Sequence, residues 1–110
     1  MAKAPPTLHV IAGPNGAGKT TFYEQVLSRL TDAAFVNADR LALETFGHAA
    51  VTETESAEGQ RLAEERRQVL MRAGESLVVE STFSHPSKLA LIEQAKALGY
   101  QIAVYHLNVR

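Results

Sequence analysis

Leu8-His9-Val10-Ile11-Ala12-Gly13-Pro14-Asn15-Gly16-Ala17-Gly18-Lys19-Thr20-Thr21 is the stretch whose reading decides the fold. Its first five residues suit a buried strand, and the run from Gly13 to Thr20 fits G-x-x-x-x-G-K-T, the Walker A phosphate-binding loop. The spacing has a chemical reason. Gly13, Gly16 and Gly18 permit backbone angles and a close approach that side chains would block. The N–H groups of Gly13, Pro14-Asn15-Gly16-Ala17, Gly18, Lys19, Thr20 and Thr21 (proline excepted) can then turn inward as an anion nest. Lys19 adds a point charge for the β- and γ-phosphates of ATP, and Thr20 offers a hydroxyl to Mg²⁺. A helix beginning at Lys19 would put its N-terminus behind the phosphates, with Phe22, Val26, Leu27 and Leu30 on one apolar face.

Working outward, residues 1–7 read as a flexible leader, because Pro5 and Pro6 resist helix and sheet pairing alike. Ala33–Asn37 reads as a second strand, and Ala38–Leu43 as a short helix with Asn37 or Asp39 near its cap. Residues 46–59 are polar, acidic and weakly periodic; they predict a loop or a frayed helix start, with Glu53, Glu55 and Glu58 solvated. Gln60–Arg72 turns helical, with Leu62, Val69, Leu70 and Ala73 sharing a stripe and Arg66 and Arg67 on the solvated face. Gly74 would stop that helix. Ser76–Glu80 is a third strand, Ser81–His85 a loop, and Pro86 the first residue of a helix faced by Leu91, Ile92, Ala95 and Leu98. Gln101–Val109 is a fourth strand.

Strand and helix alternate, which predicts an α/β fold: a P-loop NTPase-type three-layer α/β/α domain over residues 8–110, with a parallel sheet of about four strands. A chain ending on a core strand lacks a covering helix and a lid, so truncation at the C-terminal end is expected. The 110 residues carry a formal net charge of −1, which offers no broad basic field and argues against nucleic acid as the main partner. Absence of cysteine excludes disulfides and thiolate chemistry. No apolar run approaches transmembrane length, so a cytoplasmic protein with no membrane partner is the default.

In an open parallel sheet ligands bind beyond the C-terminal strand ends. Asp39 and Glu80 both fall there. Asp39 is either a carboxylate able to take a proton from an acceptor hydroxyl or a helix cap, and spacing alone leaves both open. Glu80 follows Leu77-Val78-Val79 as a Walker B acid would, suited to a Mg²⁺-bound water or to substrate. Thr82, Ser84 and His85 are ligand contacts or turn residues. Arg61, beside Gly59, is a candidate for a substrate phosphate. His9, His48, His85 and His106 lack metal-ligand spacing.

Val10–Thr21, Phe35-Val36-Asn37-Ala38-Asp39-Arg40-Leu41-Ala42, Gly59-Gln60-Arg61-Leu62-Ala63 and Val79-Glu80-Ser81-Thr82-Phe83-Ser84 together resemble the zeta toxin family of P-loop kinases. That family phosphorylates UDP-N-acetylglucosamine, and many members are neutralised by an antitoxin protein. The resemblance implies that Lys19 and Thr20 hold ATP and Mg²⁺, that Asp39 is the general base, and that Glu80 and Thr82 contact the acceptor. Ser84 stands where the best-known members carry an arginine. The family also continues past residue 110 with a lid bearing arginines, for which Arg110 is the only C-terminal counterpart here. Two other readings remain: a kinase for another small molecule, and an ATP-binding fragment that acts through a protein partner.

Overall fold

The computed structural model describes residues 4–14, 16–81 and 87–108, with the backbone alone at 87 and 88. In chain order the elements are β1 (Thr7–Ala12), α1 (Lys19–Phe22), a π-helical turn (Tyr23–Leu27), α2 (Ser28–Leu30), β2 (Ala34–Val36), α3 (Ala38–Phe46), α4 (Glu53–Arg72), β3 (Leu77–Ser81), α5 (Ser87–Ala97) and β4 (Gln101–His106). The strands form one parallel sheet in the order β2-β3-β1-β4. This is the α/β P-loop NTPase-type fold that the alternation predicts.

Strand periodicity divides the core between two faces of the sheet. Leu8, Val10, Val36, Leu77 and Val79 point to one face, where Ala63 and Met71 of α4 and Leu91 and Ala95 of α5 cover them. Ile11 and Val78 point to the other, where Leu27, Phe22 and Tyr23 close over them. Tyr100 fastens the base of the domain: its hydroxyl donates to the Glu75 carbonyl at 2.7 Å, and burial pushes its pKa up.

Several local readings are corrected. The helical run after Lys19 buries Leu27 and half-buries Phe22 and Tyr23, whereas Val26 and Leu30 are exposed, Leu30 by 74%. The π turn has more residues per turn than an α-helix, so it shifts the phase of the inward face. Of the two alternatives for residues 46–59, the helix start holds over 53–59, capped rather than frayed, so Glu53, Glu55 and Glu58 lie on α4. The start is set by a capping box: Thr52 Oγ1 accepts from the Glu55 N–H at 3.1 Å, and Glu55 Oε1 accepts from the Val51 N–H at 3.1 Å. The buried face of α4 is Gly59, Ala63, Arg67 and Met71; of the expected stripe Leu62, Val69, Leu70 and Ala73, Leu70 packs against the core, Leu62 is half-buried, and Val69 and Ala73 are exposed. Small residues prevail on that face because α3 crosses closely there. Arg67 is buried, and its Nη2 donates to Glu64 Oε2 at 2.6 Å. On α5, Leu91 and Ala95 face the core and Leu98 is exposed.

Candidate active site

β1 delivers the chain to Gly13, whose N–H donates to the Ser81 carbonyl at 3.0 Å and so ties the loop to the end of β3. Gly13 is required by close approach: a Cβ there would lie 2.6 Å from the Leu107 carbonyl oxygen. Gly16 and Gly18 are required by conformation, with φ of 83° and 85°. Among the described residues nothing lies within 4 Å of a Cβ at either position, so backbone conformation rather than space sets the requirement.

Phe22 N–H donates to the Gly18 carbonyl at 2.8 Å, the first bond of the helical run. The N–H groups of Lys19, Thr20 and Thr21 therefore precede the ladder, the state in which a helix start receives an anion. The Lys19 ammonium folds back onto the loop, donating to the carbonyls of Gly13 at 2.7 Å and Pro14 at 3.1 Å. Gly16, Gly18, Lys19, Thr20, Thr21 and Glu80 line a cavity of about 230 Å³.

Glu80 joins three elements. It lies opposite Ile11 in the parallel register of β3 and β1, beside the loop. Its Oε1 accepts from Thr20 Oγ1 at 2.7 Å and from Asn37 Nδ2 at 3.3 Å. Asn37 also caps α3, its Oδ1 accepting from the Arg40 N–H at 3.0 Å. Asn37 is thus the cap, and Asp39 is an exposed carboxylate in the first turn of α3, where the helix dipole favours a negative charge. The double role of Asn37 was not evident from sequence beyond its place between an apolar strand and a helix.

Arg61 is exposed on α4 and bonded to Glu58 at 2.6 Å and Glu65 at 3.0 Å; the carboxylates raise its pKa. It does not line the loop cavity. Asn15, Thr82, Ser84 and His85 lie outside the described residues, as does Arg110. Among the described residues no cluster of three or more His, Cys, Asp or Glu could hold a metal ion, and no helix is long and apolar enough to cross a membrane. His9 packs within the sheet, its Nδ1 at 3.0 Å from the Tyr105 hydroxyl, and burial lowers its pKa.

The fold and the loop define a domain of the P-loop NTPase type. Residues 8–110 match the family model described as an AAA domain, and the chain belongs to that family. A candidate kinase from Chloroflexus aurantiacus superposes with a TM-score of 0.71 at 16% identity, covering 94% of this chain and 59% of that one. The Pnkp1/Rnl/Hen1 complex aligns with a TM-score of 0.72 at 18% identity, over 100% of this chain and 38% of that one. AvrRxo1-ORF1:-ORF2 with ATP aligns at 0.66 and 22%, over 94% and 37%. The chain therefore spans between about a third and three fifths of these neighbours' lengths, and at such identities the likeness is one of fold. No curated protein matches the sequence.

Proposed function

We propose that this domain is an ATP-dependent kinase that moves the γ-phosphate of ATP to a hydroxyl of a nucleotide sugar such as UDP-N-acetylglucosamine, as its motifs resemble those of zeta toxins. The observation that carries the reading is the Glu80 carboxylate shared by Thr20 and Asn37. It binds the phosphate loop to the segment that bears Asp39. A kinase needs those two parts held together, because phosphoryl transfer is mostly positioning and charge stabilisation.

The loop N–H groups and Lys19 would hold the phosphates, with Lys19 exchanging its two carbonyls for phosphate oxygens. Thr20 and Glu80 supply hard oxygen donors of the kind Mg²⁺ takes, with Glu80 reached directly or through water. Bound there, Mg²⁺ would neutralise charge on the β- and γ-phosphates. Asp39 takes the proton of the acceptor hydroxyl as that oxygen bonds to the γ-phosphorus. The bond to the β-phosphate oxygen breaks, and ADP leaves. Thr82 and Ser84 are acceptor contacts on the strength of the resemblance, and Arg61 could join them only by giving up its ion pairs with Glu58 and Glu65. A cytoplasmic setting fits this chemistry.

The ORF1:ORF2 assembly among the structural neighbours favours a second reading, an ATP-binding domain that works through a protein partner such as an antitoxin. Turnover decides between them. Asp39→Asn keeps shape and the favourable helix position but cannot accept the proton. ADP release with UDP-N-acetylglucosamine should fall by about 10² to 10⁴-fold with ATP affinity unchanged. Wild-type turnover in Asp39→Asn removes Asp39 as base. ATP binding without acceptor-dependent ADP release, across a panel of hydroxyl acceptors, selects the partner reading.

A further inference from the structure

Arg40 follows Asp39 in the first turn of α3, and its guanidinium reaches away from the Glu80 network. It lies 4.8 Å from the centre of the Phe35 ring and 5.8 Å from that of Tyr23. Those two rings stack on each other at 4.0 Å and 18°. Phe35 belongs to β2. Tyr23 opens the π turn that continues the helix issuing from the phosphate loop. Glu24, on the same turn, approaches Arg40 Nη2 at 3.7 Å.

We infer that Arg40 is a positioning residue: its cation–π contact with Phe35 and Tyr23 clamps the Asp39-bearing turn of α3 to the phosphate-loop helix and so fixes the carboxylate relative to the transferring phosphoryl group. The role of Asp39 in this statement rests on the kinase reading above. The network now has two arms. Asn37 to Glu80 to Thr20 holds the start of α3 from one side, and Arg40 to Phe35 and Tyr23 holds it from the other. The contact with Glu24 joins two half-exposed side chains and adds little on its own. The ring contact is the larger part, and a guanidinium, more weakly hydrated than an ammonium, gives up less water to make it. Tyr23, which stacks on Phe35, opens the π turn, and such turns gather at functional sites.

The test compares Arg40→Ala and Arg40→Lys in the wild-type and Asp39→Asn backgrounds, using amide hydrogen exchange and ADP release. Both Arg40 variants should speed exchange at residues 38–42 about tenfold, because local opening there loses a restraint. Exchange in the core strands and ATP affinity should stay as in wild type. Turnover should fall about tenfold with the KM for ATP unchanged, a loss typical of a displaced catalytic group. In the Asp39→Asn background the same substitutions should cost less than about twofold, because the two residues act as a unit. Unchanged exchange at 38–42 in Arg40→Ala overturns the clamp. So does a full tenfold loss in the Asp39→Asn background, or complete rescue by lysine. If wild type turns over no acceptor, the kinase reading fails, and the exchange measurement alone decides whether the clamp exists.

Discussion

At Gly59 two demands on one residue oppose each other. It sits inside α4, where alanine would gain about 1 kcal/mol of helix propensity. A Cβ there would lie 2.8 Å from the Ala38 carbonyl oxygen and 3.2 Å from the Ala42 Cβ, and a backbone atom cannot swing aside. Overpacking outweighs propensity, so Gly59→Ala should destabilise by a net ~1–3 kcal/mol, read as a lower melting temperature. A raised melting temperature would mean that the α3–α4 crossing yields. The shape of the loop was legible because fixed backbone spacing dictates it: Gly16 and Gly18 take positive φ, and Lys19 and Thr20 open the helix, where the motif requires. Glu80 was legible as an acid ending an apolar strand. Arg67 was not, since a charge next to another charge reads as solvated. Its only sequence signal is the spacing of four that it shares with Gly59, Ala63 and Met71. Its stem covers the core, and its Nε has no hydrogen-bond partner among the described residues.

Among the elements, α4 shows why one boundary was missed and another met. Residues 53–58 carry so little apolar pattern that periodicity finds no helix; the signal lies in Thr52-Glu53-Thr54-Glu55, where the cap and its reciprocal acid are three apart. Gly74, with φ of 70°, marks the other end as expected. Thr52→Ala should therefore cost about 1 kcal/mol. Differential scanning calorimetry should show a drop of a few degrees, and hydrogen exchange should show fraying confined to the first turns of α4. An unchanged melting temperature would mean that packing against α3 alone starts the helix. The Glu55 carboxyl is held below its ordinary range, first by the Val51 N–H and then by His48 among others. A depressed acid stabilises the folded state above the unfolded carboxyl range. The Glu55 half of the box is therefore fully present at neutral pH, weakens once pH drops below the unfolded carboxyl range and is lost as pH falls through the lowered folded pKa. The phase error after Lys19 has a similar lesson: Val26 and Leu30 satisfy an α-helical stripe, but the π turn, which no residue type announces, carries them to solvent.

For the whole molecule, alternation of strand and helix predicts a parallel sheet but not its order. The order β2-β3-β1-β4 means that the chain leaves β1 and returns two places away, so a crevice opens at the C-terminal strand ends. The polar groups of the site come from there: the phosphate loop after β1, Asn37 and Asp39 after β2, and Glu80 near the end of β3. The loop is also bonded into the sheet on both sides, through Gly13 N–H to the Ser81 carbonyl at 3.0 Å and Leu107 N–H to the Ala12 carbonyl at 2.8 Å. A ligand seated in the loop thus binds a feature that exists only when three strands are assembled, and it should stabilise the fold by mass action. At a hundred times its Kd, ATP with Mg²⁺ should add about 2.7 kcal/mol. For a domain of this size that corresponds to a rise in melting temperature on the order of 10 °C. Lys19→Ala should lose most of this rise while keeping the melting temperature of the ligand-free protein. In that state the partners of Lys19 among the described residues are the Gly13 and Pro14 carbonyls, which water can satisfy. Thermal unfolding of both proteins with and without ATP and Mg²⁺ measures all four quantities. An equal ligand-induced rise in the two proteins would move the nucleotide away from the loop, and no rise in wild type at millimolar ATP would remove the nucleotide reading itself.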